Sequence, residues 1–359
     1  MIKPIHSCFH AASVACLTLM YAGMLTAQNT WTVSNNPSFN ADFSNIQTAI
    51  NAVDPGDKIY VHGSPNTYPS FDVTKRIHLI GPGFWKTENS IMDENQYQAF
   101  VTGNDVQPSI DILADSVIVE GFRPQWMAIR ANDAVVRYNQ ICCYPGSGHF
   151  GQIVFYDSPV NLMIYGNYIS NGLEGSAVNA NVFNNIIIKG SGPSGNNELW
   201  PVNTSNIDCI VQNNAIGYSG SSASVIGNCT FRNNIVDYAT FSMTGALTIE
   251  NNLFTDDMVN VNGTPIDSLG NGNLDSVIIS TIWNYSNPSP DGKYQLIGDS
   301  TTNVAYGAGI NGEDCGAFGG DSPYRLSGIV RVPTIYNMLI PVVGDTTNML
   351  KVKIKAKSN

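Results

Sequence analysis

The chain has 359 residues, with 28 acidic against 17 basic side chains and a net charge of −11. That balance argues against nucleic acid and anionic membrane surfaces as partners. Only 13% of residues are charged, and Gly, Asn and Ser fill the polar positions, a surface of short turns rather than a disordered chain.

Residues 1–28 read as a secretory signal peptide, with Lys3, an apolar run from Ala15 to Leu25, and the small pair Thr26-Ala27 before Gln28. The apolar run is short of the roughly 20 residues needed to span a bilayer. No later stretch is long enough either, so the reading is an exported protein, secreted or at the cell surface, without a transmembrane segment in the mature chain. Five cysteines come after the signal: Cys142, Cys143, Cys209, Cys229 and Cys315. An odd number argues against a complete disulfide framework.

Ser44-Asn-Ile-Gln47 has the form of a capping box, and Ile46, Ala49, Ile50 and Val53 succeed it at helical spacing. Asp54-Pro-Gly-Asp57 ends that helix. Lys58–Val61, Ile77–Gly81, Ile110–Ile112 and Val117–Val119 read as strands. The amphipathic helix is expected to cover an open end of the strand stack.

From about Ala134 to Phe254 the chain repeats. Asn139, Asn167, Asn185, Asn214, Asn234 and Asn252 each come after an apolar strand and precede another, and four of them are the second Asn of a pair. Five residues earlier stand Ala134, Leu162, Ala180, Cys209, Cys229 and Leu247. Three earlier stand Val136, Ile164, Val182, Val211, Phe231 and Ile249, and two later Ile141, Ile169, Ile187, Ile216, Val236 and Phe254. Alternation puts the first two sets on one strand face, but the step across the Asn is odd. The strand must bend there to keep both runs inward. Intervals of 28, 18, 29, 20 and 18 between the Asn residues mark stacked coils, each near 20 residues. The Asn side chains would then form a ladder, each amide bonding the next coil. Cys209 and Cys229 share one offset in adjacent coils, which predicts a buried stack of free thiols.

This pattern resembles the right-handed parallel β-helix of the pectin-lyase-like superfamily. The opening over residues 43–83 is similar to that of many secreted β-helix proteins. At the other end, Gly292–Leu296, Gly307–Gly309 and Asp314-Cys-Gly-Ala-Phe-Gly-Gly320 resemble the closing segment of bacterial β-helix proteins. The resemblance implies an all-β right-handed solenoid over 29–320, with an N-terminal capping helix. Residues 321–359 are expected as a short β extension on the last coil. Val277–Ile279 reads as a late strand, and Leu350–Lys355 as an edge strand whose Lys row faces solvent.

Relatives in that superfamily include polysaccharide lyases and hydrolases, which use an Arg base with calcium-binding Asp residues, or three close Asp residues. Here Asp256-Asp257 is an adjacent acidic pair and the weak catalytic candidate, but no matching constellation accompanies it. His62, His78 and His149 are scattered. Asp267–Asp275 is rich in oxygen ligands and is the one place for calcium, but its spacing suits a plain turn, so no cofactor is required. The two long intervals hold insertions, Tyr144–Phe150 and Gly190–Trp200, that leave the coil at the same turn about 10 Å apart. Together they form a lip presenting His149, Phe150, Glu198 and Trp200, a set suited to a polysaccharide or surface glycan. The expectation is a monomeric, non-catalytic protein that binds glycan or serves a structural or adhesive role. The alternative is a divergent polysaccharide lyase or glycoside hydrolase acting on a plant or microbial polysaccharide.

Overall fold

The computed structural model describes residues 28–330, apart from 91–96, 105, 143–150, 190–207, 219–227, 238–241, 244, 246, 256–259 and 267–269, together with the strands Thr334–Leu339 and Lys353–Lys357. Residues 1–27 of the expected signal segment therefore lie outside the described residues. Three sheets of parallel strands share the chain in turn. The long sheet has ten strands in sequence order, from Thr30–Val33 and Lys58–Val61 through Val135–Arg137 and Met163–Tyr165 to Cys229–Arg232 and Leu247–Glu250. A second sheet stacks six short strands, Gln140–Ile141, Tyr168–Ile169, Ile186–Lys189, Ala215–Tyr218, Ile235–Asp237 and Leu253–Phe254. A third stacks five, from Phe71–Val73 to Leu173–Glu174. One circuit runs Val135–Arg137, Gln140–Ile141, Ile153–Phe155 and back to Met163–Tyr165 beside its start. The molecule is thus an all-β parallel solenoid.

Register is set by the repeat. Val136, Ile164, Val182, Val211, Phe231 and Ile249 pair in one column, and with the sets five before and two after the Asn they form one buried core, Leu247 at the last strand being only partly buried. A slip of one residue would turn these side chains outward, at roughly 1.5–3 kcal/mol for each Val, Leu, Ile or Phe. The break in alternation falls one residue earlier than the odd step suggests. Tyr138, Gly166, Asn184, Asn213, Asn233 and Asn251, each just before a ladder Asn, carry φ between 51° and 64°. That left-handed conformation explains the Asn pairs: the first Asn tolerates the backbone, and the second turns inward.

The helix Ile46–Ala52 buries Ile46, Ala49 and Ile50 in the same core. Its N-cap is Asn45 rather than Ser44, with Asn45 Oδ1 accepting from Thr48 N at 3.0 Å. The capping-box reading fails for Gln47 as well. Its side chain clamps the backbone of Asp72, accepting from N at 2.8 Å and donating to O at 3.2 Å.

The closing segment adds no further coil. Val277–Ile279 is not a strand, because after Val277 N meets Phe254 O the chain leaves the stack, and Ile279–Thr281 is a turn of 3-10 helix. Residues 282–328 then cover the outside of the second sheet as a strap, reaching the Phe84 end at Asp291, returning to Asn251 by Ala308, and running back along the sheet from there to Ser327. The left-handed Asn residues hold it. Asn251 Nδ2 donates to Ala308 O at 2.8 Å, Asn233 Oδ1 accepts from Ile310 N at 3.0 Å, Asn213 Nδ2 donates to Asp314 O at 3.1 Å, and Asn184 Nδ2 donates to Ala317 O and Gly319 O at 2.9 and 2.7 Å. Beneath it lie Tyr168, Ile186, Ala215, Ile235 and Leu253, packed against Trp283, Ala305, Cys315, Ala317 and Tyr324 as a second core. At its far end Phe84 N donates to Ser327 O at 2.8 Å. The strands Thr334–Leu339 and Lys353–Lys357 pair antiparallel with one another.

Cys209 and Cys229 are thiols not joined in a disulfide, buried and in register. Burial raises both thiols and pushes Cys315 up to about 12. At pH 8 these three thiols are protonated and enclosed, so a water-soluble disulfide reagent is expected to leave them unmodified in the native protein and to react with them in guanidinium. Mass mapping of labelled peptides checks this; labelling of Cys209 or Cys229 under native conditions would contradict the packing.

Candidate functional site

The corner between the long and second sheets is rigid because its buried amides are linked. Each ladder Asn is 0% exposed. The side-chain Nδ2 of Asn139, Asn167, Asn185, Asn214 and Asn234 donates to Oδ1 of the next at 3.0–3.1 Å. The same Oδ1 also accepts the preceding Asn's backbone N–H, and the series closes on Asn273, which accepts from Asn252 Nδ2 at 3.0 Å. Asn273 belongs to the oxygen-rich loop that ends at Asp275.

Two residues before each ladder Asn, a side chain points outward from the long sheet beside this corner. Arg137, Tyr165, Phe183, Gln212, Arg232 and Glu250, with Glu120 of the coil before them, stand in one register column. Strand spacing of about 4.8 Å makes this row roughly 29 Å long. Its centre is a flat aromatic platform, with Tyr165 and Phe183 stacked at 4.6 Å and 8°. A polar chain flanks the platform on the N-terminal side. His78 Nε2 lies 2.7 Å from Glu120 Oε1, Arg137 Nε donates to Glu120 Oε2, and Arg137 Nη1 donates to Tyr165 OH at 2.7 Å. On the other side Arg232 Nε donates to Gln212 Oε1 at 2.8 Å, and Arg232 Nη1 lies 4.0 Å from Glu250.

Burial pushes the Glu120 carboxyl up, but the bonds from His78 and Arg137 more than offset it, so its pKa falls below the usual range. Burial disfavours the Arg137 charge, and Glu120 with Tyr165 over-compensates, holding it above its usual value. Glu120 is therefore a fixed acceptor rather than a carboxyl ready to exchange a proton. The strap forms the side wall. Phe183, Gln212, Asn213 and Arg232 with Glu313 and Asp321 enclose a hollow of about 230 Å³. Further along, the Arg325 guanidinium sits 5.0 Å from the Tyr138 ring centre.

Of the residues named from the sequence, the six ladder Asn residues lie in this corner. His149, Phe150, Glu198, Trp200, Asp256 and Asp257 fall outside the described residues. His78 belongs to the row through Glu120, while His62 stacks on Phe39 at 5.2 Å. Among the described residues no group of three His, Cys, Asp or Glu side chains is arranged to hold a metal ion. The row itself was not anticipated from the sequence, although its signal is regular: the position two before every ladder Asn holds a residue able to bond or stack. No family model, curated protein or solved structure matches this chain.

Proposed function

We propose that this chain is a right-handed β-helix of the pectin-lyase-like kind, exported to the cell surface or beyond, that binds a glycan along the outer row of its long sheet without cleaving it. The stacked Tyr165–Phe183 pair with guanidinium and amide donors on either side is the observation that carries this reading. Flat rings suit the apolar faces of sugars, and Arg137, Gln212 and Arg232 are placed for their hydroxyls. A non-catalytic role is favoured because Glu120 is ionised and held by two partners, whereas sugar hydrolysis needs one carboxyl kept protonated and a second at a set separation. The lyase or hydrolase alternative requires a carboxylate or Arg base free to move a proton.

Glycan-array binding, followed by titration of the best ligand, tests this. Tyr165→Ala and Phe183→Ala are each expected to weaken binding about tenfold, since a stacking partner is worth roughly 0.5–1.5 kcal/mol beyond its buried area. Both side chains face outward, so the melting temperature serves as the folding control. Equal affinity in wild type and both variants, or release of unsaturated or new reducing ends from the bound polysaccharide, would overturn the reading.

A further inference from the structure

The second sheet continues past the end of the strap. Gln140 N donates to Phe122 O at 2.9 Å and Cys142 N to Pro124 O at 3.2 Å, and Arg123–Pro124 pairs in turn with Phe100–Val101. Phe100 and Arg123 thus occupy the outward column that the strap covers in later coils. Here they form the floor of a separate cavity of about 280 Å³, walled by Ser64, Asn66 and Thr67 on one side and Tyr97 and Gln98 on the other.

The wall is preset. Ser64 N donates to Gln98 O at 3.2 Å, Asn66 N donates to Ser64 Oγ at 3.1 Å, and Asn35 Nδ2 holds Thr67 O from behind at 2.9 Å. Gly63 permits this close approach, since a Cβ there would fall 1.8 Å from Tyr97 O.

Arg123 is the charged group on the lining. Its guanidinium lies 5.1 Å from the Phe100 ring centre, Nε donates to Cys142 Sγ at 3.0 Å, and Nη1 donates to Gln98 Oε1 at 3.3 Å. A guanidinium has five N–H donors, and neither acceptor here is charged. Among the described residues no carboxylate pairs with it. A half-buried cation with unused donors, facing hydroxyls and amides, fits one anionic group with hydroxyls attached. A single cation matches a monoanion better than a dianionic phosphate. The volume is below that of a drug-sized site and suits one small unit. Tyr97, 51% exposed, offers a ring at the rim.

We propose that this cavity binds a small polyhydroxylated monocarboxylate, with the carboxylate on Arg123 and the hydroxyls on the Ser64–Thr67 wall. The site lies off the Tyr165–Phe183 row and stands without it. An acidic sugar ring and an open-chain sugar acid share the required chemistry. Calorimetric or NMR titration of the full chain with D-glucuronate and D-gluconate separates them, with D-glucose and sorbitol as neutral counterparts and sulfate as a plain oxyanion. The preferred acid is expected to bind in the millimolar range and at least about tenfold tighter than its neutral counterpart and than sulfate. Arg123→Gln is expected to lose about ten- to hundredfold, the range for a hydrogen bond to a charged group. The methyl ester of glucuronate removes the ligand's charge on the unmodified protein and is expected to bind about tenfold more weakly than the acid, which keeps the test decisive if Arg123→Gln folds poorly. Tyr97→Ala is expected to weaken glucuronate more than gluconate. No binding of either acid, undiminished binding by a folded Arg123→Gln, equal binding of acid and ester, or sulfate bound as tightly would overturn the proposal.

Discussion

Asn214→Ala is expected to cost about 4 kcal/mol of stability, a large effect for a single polar deletion. Asn214 Oδ1 accepts from Asn185 N and Nδ2 at 3.0 and 3.1 Å, and its Nδ2 donates to Val182 O, Gln212 O and Asn234 Oδ1 at 3.0, 2.9 and 3.0 Å. The residue is wholly buried, so deletion strands polar groups on three coils where water cannot replace the partner. Each stranded group costs roughly 1–3 kcal/mol, and values above about 4 mark loss of a buried network. Asn273→Ala is the internal comparison. Its amide bonds the same way to Asn252 and to Ile249 O, but at a half-exposed end of the ladder. Solvent can enter there, so the expected loss is about 1 kcal/mol. Urea unfolding of both variants checks the gradient. Equal losses would mean that the amides act as isolated turn residues rather than as one linked series.

The second large effect concerns the strap. Asp291 is 0% exposed and accepts from Asn89 Nδ2 at 2.9 Å, Ser327 N at 2.7 Å, Tyr324 OH at 3.3 Å and the Ser289 hydroxyl. One carboxylate thereby ties the strap's two ends to the segment after Phe84. Asp291→Ala leaves four donors without their acceptor, a cost of about 3 kcal/mol falling on the strap and not on the coils. Proteolysis of a locally opened segment tracks its opening equilibrium. Tryptic cleavage after Arg325 is therefore expected to accelerate roughly hundredfold in the variant, while far-UV circular dichroism of the solenoid stays unchanged. A cleavage rate equal to wild type would place the strap's anchorage elsewhere.

The interior of this fold was legible because it repeats one residue class. Small or apolar side chains five before, three before and two after each Asn announce the coil, and the buried thiols at Cys209 and Cys229 are a consequence of that register. The left-handed residue was displaced by one position, because Tyr138 and Gly166 stand where the later coils have Asn. The strap also left a trace. Tyr168, Ile186, Ala215, Ile235 and Leu253, one after each ladder Asn from Asn167 on, point away from the coil and are nonetheless apolar. An apolar outer column needs a cover, but nothing local to the repeat says that the cover comes from a segment after the last coil. The outer row of Arg137, Tyr165, Phe183, Gln212, Arg232 and Glu250 escaped for the opposite reason. Unlike residues at a constant offset give no periodic hydrophobic signal, and become a surface only when the register stacks them. The turn chemistry of the cap was misread by one residue because Ser44 and Asn45 are both good caps, and the choice rests on where Gln47 finds Asp72.

Solenoids commonly lengthen by duplicating a coil, since each coil touches only its neighbours. Here that freedom is curtailed. A backward-running segment fastened at Asn251, Asn233, Asn213 and Asn184, and again beside Phe84, acts as a ruler laid against the stack. Every coil added between those points would demand about 4.8 Å more ruler, between one and two residues of extended chain, inserted at the matching place. Coil number in this protein is therefore set twice, and a duplication that altered only the repeat would be expected to shed its outer covering instead of extending the rod.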